Sequence, residues 1–351
     1  MPIRRRSFII FILLLAMFTA LSGCNRDSNA APVSESRLLL DTVCTITIYD
    51  PAIQEPLIEA MELCSQYEFM FSRTKEGGDV WRINNAGGMP VEVDEQVVRL
   101  LREGLYYGDL SGGWFDITIG RLSALWDFNG APAVPSQEAL VAARNTVDYR
   151  QVFIDGDTVR LGDAEVMLDL GGIAKGYIAD RLADFLKERG VESAIIDLGG
   201  NIVTVGLKPR SGRSSSGSGR RSTGEQLWNI GVTAPFQARS ELIGSLSVEE
   251  ASIVTSGIYE RQFIENDTLY HHILDPFSGL PVDSDVMSVT IVSESSAVGD
   301  ALSTIVLLLG SEGAVPMLEQ APGIMGAVLM LKSGELLQFG DINFIADGGE
   351  R

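Results

Sequence analysis

The sequence is poor in histidine, cysteine and basic residues, and each shortage narrows the functions open to it. Its 351 residues include two adjacent histidines, His271 and His272, and three cysteines. The spacing of Cys24, Cys44 and Cys64 matches no zinc site. A net charge of −20, from 27 Lys and Arg against 47 Asp and Glu, opposes nucleic-acid binding. A phosphate-bearing ligand would need a local cation or a helix N-terminus.

Long apolar runs are also rare, and the one at the N-terminus predicts export. Three arginines precede an apolar run over residues 8–21, which is short for a membrane span. The next residues end in LSGC, which resembles a bacterial lipobox whose cysteine is lipidated and begins the mature chain. We therefore expect a lipoprotein signal peptide over 1–23 and an extracytoplasmic protein held to the membrane by lipid on Cys24. An uncleaved anchor helix is the alternative.

The rest of the chain reads as a tether followed by one large folded domain. Residues 24–37 are polar and aperiodic, which predicts a flexible tether, and the domain is expected over 38–345. Apolar periodicity favours a strand over 38–50 and helices over 55–71 and 94–107. Further helices are predicted at 173–189, 296–309 and 312–319, and a hairpin at 325–339. Further strands are predicted near 151–154, 158–161, 166–169, 193–198, 201–207, 227–233, 241–248, 252–256, 258–264, 270–274 and 286–293. The hairpin-like connections indicate an α+β fold with largely antiparallel sheets and flanking helices, in two closely packed lobes.

Two features of this domain allow more than one interpretation. The Ser/Gly-rich, basic segment 208–225 cannot bury a core and predicts a surface loop, although attraction to anionic lipid would also suit it. Cys44 lies in a strand-like run and Cys64 in a helix-like run. Outside the cytoplasm the two could form a disulfide or remain buried thiols.

Two glycine-containing turns suggest a ligand site. LDLGGIAKGYIAD (168–180) reads as a strand, a glycine turn and a helix that begins near Lys175, which favours an anion. It lacks the spacing of a P-loop or a dinucleotide fingerprint, and an ordinary strand-turn-helix is the alternative. DLGGNI (197–202) repeats the acid and paired glycines. The two turns could lie side by side under a flat ligand, or be plain β-turns.

A capped apolar helix supplies oxygen ligands for a cation. In SSAVGDALSTIVLLLG (295–310), Asp300 and Thr304 lie four residues apart and share one face. A carboxylate and a hydroxyl are hard ligands of the kind that Mg²⁺ prefers, and an internal hydrogen bond between the two residues is the alternative. Adjacent strand residues face opposite sides, so His271 and His272 cannot both enter one site, which disfavours a two-histidine metal centre.

These stretches, taken in order, resemble the ApbE family of FAD:protein FMN transferases. The stretches are GGWFDIT (112–118), DLGGIAKGYIAD (169–180), DLGGNI (197–202), TSGIYER (255–261), HHILDPFSGLPV (271–282) and VGDALSTIVLLLG (298–310). The resemblance implies an enzyme that splits FAD at its diphosphate, attaches FMN to a Ser or Thr of an acceptor flavoprotein and releases AMP. Acceptors in the family include subunits of the Rnf and sodium-pumping NADH:quinone reductase complexes. An FAD hydrolase and a non-catalytic flavin-binding lipoprotein are the alternatives.

The resemblance also implies roles for individual residues. Mg²⁺ would be bound by the carbonyl of Gly172, the carboxylate of Asp300, Ser303 and Thr304. Flavin contacts would fall on Thr74, Trp114, Phe115, Asp116, Asp169, Lys175 and Leu274. His272 occupies the first position of the family's HILDP pattern, and we expect it to accept the proton of the acceptor hydroxyl. A hydrogen bond from His272 to the Asp275-Pro276 turn is the alternative. Many relatives have Met-Gly-Thr where this chain has Leu40-Asp41-Thr42.

Overall fold

An eight-stranded antiparallel sheet forms the centre of the protein in the computed structural model, which describes residues 31–49, 55–128, 130–209, 225–235 and 241–347. The strands are β1 (Val33–Leu39), β2 (Thr42–Ile48), β3 (Val91–Glu92), β4 (Val152–Asp155), β5 (Thr158–Leu161), β6 (Ala194–Leu198), β7 (Asn201–Val205), β8 (Lys208–Pro209), β9 (Glu225–Gln226), β10 (Trp228–Thr233), β11 (Leu242–Val248), β12 (Ser252–Gly257), β13 (Gln262–Glu265), β14 (Thr268–His271), β15 (Val286–Ser293), β16 (Ile324–Leu331), β17 (Leu336–Gly340) and β18 (Phe344–Ala346). The main sheet has the order β1-β2-β6-β7-β12-β15-β16-β17. All its pairings are antiparallel, as the sequence predicts.

Two long helices cover this sheet and bring the predicted motifs together. The helices are α1 (Glu55–Phe71), α2 (Asp79–Asn84), α3 (Glu95–Leu110), α4 (Gly120–Trp126), α5 (Gln137–Arg144), α6 (Ala174–Glu188) and α7 (Ser296–Gln320). Helix α7 packs on β7, β12, β15 and β16, and α6 packs beside it and against α1 and β7. The main hydrophobic core fills the space between these helices and the sheet.

The first predicted strand, over 38–50, is a hairpin. Strand β1 begins at Val33, inside the segment assigned to the tether, and the chain reverses at Leu40 and Asp41 before β2. Both turn residues have positive φ, 55° and 58°, as a two-residue hairpin turn requires. Such turns favour Asn and Gly. Because this turn has Leu and Asp instead, the sequence pattern did not predict a hairpin here.

The predicted helices over 55–71, 94–107, 173–189, 296–309 and 312–319 are confirmed, most within three residues at each end. The last two are halves of α7, which is interrupted at Gly310 with φ 74°. Asp285 caps the second half, since Oδ1 accepts the Ser311 amide at 2.9 Å. Helix α7 is also apolar and long enough to cross a membrane by composition, but it packs within the core on several strands.

Two strand predictions are wrong, and a third, over 270–274, is displaced, since β14 spans Thr268–His271 and leaves His272 outside the strand. Residues 166–169 form only an isolated parallel bridge, Met167 to Ile119, because the chain here turns towards the glycine pair instead of joining a sheet. The strand predicted over 258–264 begins at Gln262, since β12 runs through Gly257 and a turn follows it. The short elements α2, α4, α5, β3 and β18 lacked a periodic pattern long enough to predict.

Cys44 and Cys64 are free, adjacent thiols. Both are fully buried, one in β2 and the other in α1, and they hydrogen-bond each other. The Cys44 Sγ also donates to the carbonyl of Leu39 at 3.4 Å. The hydrogen bond with Cys44 and then burial raise the pKa of Cys64, which keeps this thiol protonated. Of the two alternatives, the structure has the buried thiols.

Four predictions fall on parts of the chain that the structure does not describe. The signal peptide over 1–23, the lipidated Cys24, residues 24–30 of the tether and most of the basic loop, residues 210–224, lie outside the described residues. The two ends of that loop, strands β8 and β9, pair with each other.

Candidate active site

The predicted site lies where the first turn of α6 meets α7. The Gly176 amide donates to Asp300 Oδ2 at 2.8 Å, and Asp300 is 2% exposed. Asp180, one turn further along α6, accepts the Ser295 hydroxyl and two backbone amides at the start of α7. Asp180 of α6 thereby caps the N-terminus of α7, and Asp300 of α7 in turn accepts a backbone amide from the first turn of α6.

Lys175 extends from α6 between a buried amide and the Asp300 carboxylate. Its Nζ donates to Asn201 Oδ1 at 2.9 Å and lies 3.9 Å from Asp300 Oδ1. Asn201 begins β7, directly after the Gly199-Gly200 turn in which Asp197 accepts both glycine amides. The two glycine motifs thus converge through Lys175 and Asn201, in agreement with the idea that they lie side by side.

The oxygens predicted for Mg²⁺ lie together around Asp300. The Thr304 hydroxyl donates to the Asp300 backbone carbonyl at 3.3 Å, so the internal hydrogen bond given as the alternative is present. The lone pairs of this hydroxyl remain available to a cation, and its oxygen lies 3.5 Å from where a Cβ on Gly172 would be. The Ser303 hydroxyl is fully buried, donates to the same carbonyl and shares a 2.8 Å hydrogen bond with Ser256. The carboxylate, the threonine hydroxyl and the Gly172 backbone therefore fit a hard cation, whereas the serine hydroxyl already has two partners.

This set contains a single acidic residue. Across the described ranges, no three His, Cys, Asp or Glu side chains cluster as a metal centre would require. A cation at Asp300 would therefore depend on neutral hydroxyl and carbonyl oxygens, with water or a ligand supplying the remaining oxygens. This arrangement is typical of Mg²⁺ bound together with a phosphate substrate.

The two histidines face different surroundings. His271 ends β14, is buried, and hydrogen-bonds the backbone of Val282. Burial lowers the pKa of His271 to about 4. Burial, and then the positive charges of Arg261, His271 and Lys175, lower the pKa of His272 to about 3. His272 is thus neutral at pH 7 and near the Lys175 group, and its Nδ1 has no hydrogen-bond partner among the described residues.

The turn beyond His272 is self-contained. Asp275 Oδ1 accepts the Phe277 amide at 2.8 Å, and the Asp275 amide donates to the Leu280 carbonyl. No side-chain hydrogen bond joins His272 to Asp275 in the described part of the chain, so the alternative role for this histidine finds no support. Leu274 is 5% exposed and packs in a small core with Leu122 and Trp126.

The Trp-Phe-Asp loop lies next to the Gly172 turn. A Cβ on Gly172 would meet the Phe115 ring at 3.0 Å, so the glycine allows this close contact. Trp114 packs edge-on against Phe277, with ring centroids 5.0 Å apart. The Asp116 carboxylate accepts hydrogen bonds from the amide and hydroxyl of Thr118 and from the Tyr149 amide. Asp116 therefore fixes the loop, and burial raises its pKa.

Asp169 is held by an arginine that the sequence reasoning missed. Arg73 Nε donates to Asp169 Oδ2 at 3.0 Å, and the Gly171 amide donates to Oδ1. Thr74, next to this arginine, is exposed and shares a 3.1 Å hydrogen bond with Ser72. Nothing in the sequence near Arg73 signals a partner 96 residues away.

A cavity of about 610 Å³ opens beside the hairpin turn of β1 and β2. Its lining residues are Leu38, Leu39, Asp41, Thr42, Glu68, Phe128, Glu260 and Arg261. Arg261 Nη2 lies 3.9 Å from Asp41 Oδ2, and its charge also acts on His272, so the cavity adjoins the site.

Thr42 packs closely on Gly199, where a Cβ would lie 2.2 Å from the Thr42 hydroxyl. Asn201 lies in the DLGGNI motif and Arg261 in the TSGIYER motif, so these motifs could have identified both as site residues.

Comparison with known proteins identifies relatives over most of the chain. A family model described as the ApbE family matches residues 40–329. A protein of Treponema pallidum (strain Nichols) named FAD:protein FMN transferase is 34% identical over 326 residues, 89% of this chain and 88% of its own length. One of the same name from Klebsiella pneumoniae (strain 342) is 34% identical over 311 residues, 87% of this chain and 90% of its own.

Solved structures have the same fold. The ApbE protein of Thermotoga maritima superposes with a TM-score of 0.78 at 29% identity, covering 88% of this chain and 97% of that protein. The flavin transferase ApbE of Vibrio cholerae gives a TM-score of 0.72 at 26% identity, covering 88% and 96%. The predicted α+β fold with largely antiparallel sheets is therefore confirmed.

Proposed function

Because this chain belongs to the ApbE family, we propose that it transfers FMN from FAD to a Ser or Thr hydroxyl of an acceptor flavoprotein, with Mg²⁺, and releases AMP. The observation that carries this proposal is the group formed by Lys175, Asn201, Asp300 and Thr304 at the junction of α6 and α7. It combines one positive charge with hard oxygens, as a diphosphate substrate and its metal require.

The group also suits a substrate whose charge the rest of the protein repels. The chain has a net charge of −20, yet Lys175, Arg261 and Arg73 all lie at or next to the site. Lys175 and Arg261 would offset the FAD diphosphate locally. Mg²⁺ held by Asp300, Thr304 and the Gly172 carbonyl would stabilise negative charge on the diphosphate oxygens.

In the transfer, the acceptor hydroxyl oxygen forms a bond to the FMN phosphorus, and the bond from this phosphorus to the bridging diphosphate oxygen breaks, so that AMP leaves. His272 would accept the hydroxyl proton, because its ring is neutral and its Nδ1 has no partner among the described residues. A bound diphosphate would counter the positive charges of Arg261 and Lys175 and so raise the pKa of His272, while the lowering by burial, which is the larger cause, would remain.

The decisive experiment mixes the purified protein with FAD, Mg²⁺ and a flavoprotein domain that carries an acceptor threonine. We expect an FMN adduct on the domain by mass spectrometry and an equal amount of AMP. AMP released at the same rate without the acceptor would instead indicate an FAD hydrolase. FAD that stays intact with the acceptor present would indicate a non-catalytic flavin-binding protein. Flavoprotein subunits of Rnf and sodium-pumping NADH:quinone reductase complexes are the acceptors to test.

We also propose that the protein acts outside the cytoplasm as a lipoprotein anchored through Cys24, on the basis of the LSGC sequence after the apolar run. Cys24→Ser should block processing and leave a precursor of higher mass. Labelled fatty acid that still appeared on this variant would exclude Cys24 as the lipid site.

A further inference from the structure

Asn201 is a buried polar residue that holds the Lys175 ammonium group. Its exposure is 0%, and Oδ1 accepts from Lys175 Nζ at 2.9 Å. Its Nδ2 has no hydrogen-bond partner among the residues that the structure describes. A buried donor without a partner lowers stability. An apolar side chain of similar size would therefore suit this strand better if packing were the only role of the residue.

The hydrogen bond to Asn201 keeps Lys175 at a distance from Asp300. Nζ lies 3.9 Å from Oδ1, whereas a lysine that hydrogen-bonds a carboxylate approaches to about 2.7–2.9 Å. The side chains of Lys175 and Asp300 are 22% and 3% exposed, so water screens their attraction only partly. Without the amide oxygen, this attraction would draw the ammonium group onto Oδ1.

We propose that Asn201 is a positioning residue that keeps Lys175 from closing on Asp300, so that Oδ1 stays open to a divalent cation. This inference rests on the proposed function, because it takes Asp300 as a metal ligand. A closed ion pair would occupy the ligand oxygen and place a positive charge where the cation binds. The other carboxylate oxygen is the less available of the two, since one lone pair of Oδ2 already accepts the Gly176 amide at 2.8 Å.

Titration of the full chain with Mn²⁺ alone tests the role of Asn201 without any turnover. The EPR signal of free Mn²⁺ gives the amount of ion bound at each step. Asn201→Leu should weaken Mn²⁺ binding about tenfold or more, as loss of a residue that orients a metal ligand typically does. Asn201→Asp keeps an oxygen acceptor for Lys175 and should not show this loss, since its added negative charge also attracts the cation. Asn201→Leu combined with Lys175→Met should bind as tightly as Lys175→Met alone, because no ammonium group is left to close on Asp300.

Thr204→Val is a matched control, since Thr204 is a fully buried polar residue in the same strand that hydrogen-bonds only backbone carbonyls and an amide of residues 249–251. It should lower the melting temperature and leave Mn²⁺ affinity unchanged. If Asn201→Leu does not fold, Asn201→Ala removes the same acceptor without adding bulk.

The outcomes separate this role from the metal site itself. Wild-type affinity in Asn201→Leu, with binding lost in Asp300→Asn, would overturn the role of Asn201 and leave the metal site standing. Affinity that stayed low in the double variant would reduce Asn201 to a packing residue. A wild-type chain that bound no Mn²⁺ would exclude both the metal site and the role of Asn201.

Discussion

The Gly176 amide and the Asp300 carboxylate are joined by a 2.8 Å hydrogen bond at a point where α6 and α7 nearly touch. A Cβ on Gly176 would lie 2.2 Å from the Ser296 carbonyl oxygen and 2.7 Å from Asp300 Cβ. Real Cβ atoms do not approach backbone so closely, so only glycine fits here. The absence of a side chain at Gly176 is what lets the backbone orient a buried carboxylate.

Gly176→Ala should therefore destabilise the protein by about 1–3 kcal/mol and weaken FMN transfer, because the helices must separate to admit the methyl group. Urea unfolding and a transfer assay measure the two effects. Gly313→Ala, in the second half of α7, is the control. Its Cβ would lie 3.1 Å from Leu309 Cβ in the same helix and would meet no neighbouring segment within 4 Å, and helix propensity favours alanine. Equal losses in both variants would contradict a specific role for Gly176.

Asp300→Asn should lower FMN transfer by at least about a hundredfold, because one carboxylate supplies the only charge among the proposed metal ligands. Its amide oxygen can still accept the Gly176 amide, so the melting temperature should change little. Asp300→Ala should lose both activity and about 1–3 kcal/mol of stability, since it leaves the Gly176 amide buried without an acceptor. Full activity of wild-type protein in EDTA would rule out the metal role.

His272→Ala should lower transfer by about 10²-fold while FAD and Mg²⁺ still bind, if this ring accepts the proton of the acceptor hydroxyl. His271→Ala should mainly lower stability, because His271 is buried and hydrogen-bonds the backbone of Val282. Transfer to an acceptor peptide and FAD affinity, measured for both variants, check this. Small and equal losses of transfer would leave both histidines with a packing role.

Acid should destabilise the protein through both histidines. In the folded state their pKa values are lowered by burial to about 4 and about 3, whereas in the unfolded chain each titrates near pH 6.5. Below pH 6.5 the unfolded chain therefore binds protons that the folded chain does not, and stability falls as the pH drops towards 4. Urea unfolding at pH 7 and pH 5 measures this loss. His271→Gln removes one of the two groups and should show a smaller loss, and an identical loss would exclude His271 as a contributor.

The thiols of Cys44 and Cys64 should resist alkylation until the protein unfolds. Both have 0% exposure, and the pKa of Cys64 is raised, so iodoacetamide at pH 8 should modify neither residue in the folded protein. In urea, without a reductant, both should react. Mass spectrometry of the digested protein distinguishes the cases. Two residues that remained unmodified in urea would mean that they form a disulfide.

Sequence patterns predicted the elements that repeat regularly and missed contacts that depend on their assembly. The interruption of α7 could be predicted because Gly310 ends a strongly apolar run and a second helical pattern follows it. The hairpin turn could not, because Leu40 and Asp41 rarely take positive φ.

At the site, Asp300 and Thr304 follow from helix periodicity alone. The contact of Asn201 with Lys175 and that of Arg73 with Asp169 join segments 26 and 96 residues apart. No local pattern encodes these contacts, since they arise only when β7 and the end of α1 pack beside α6.

Asp180 has a consequence for motion in this enzyme. Together with the bond between Gly176 and Asp300, it fastens α6 to α7 at two points about one helical turn apart. Hydrogen bonds at two points oppose sliding and rotation of one helix on the other, so we expect the backbones of Lys175 and Asp300 to move together. We therefore expect the amides near Gly176 and Asp180 to exchange with solvent more slowly than those at the far ends of the two helices.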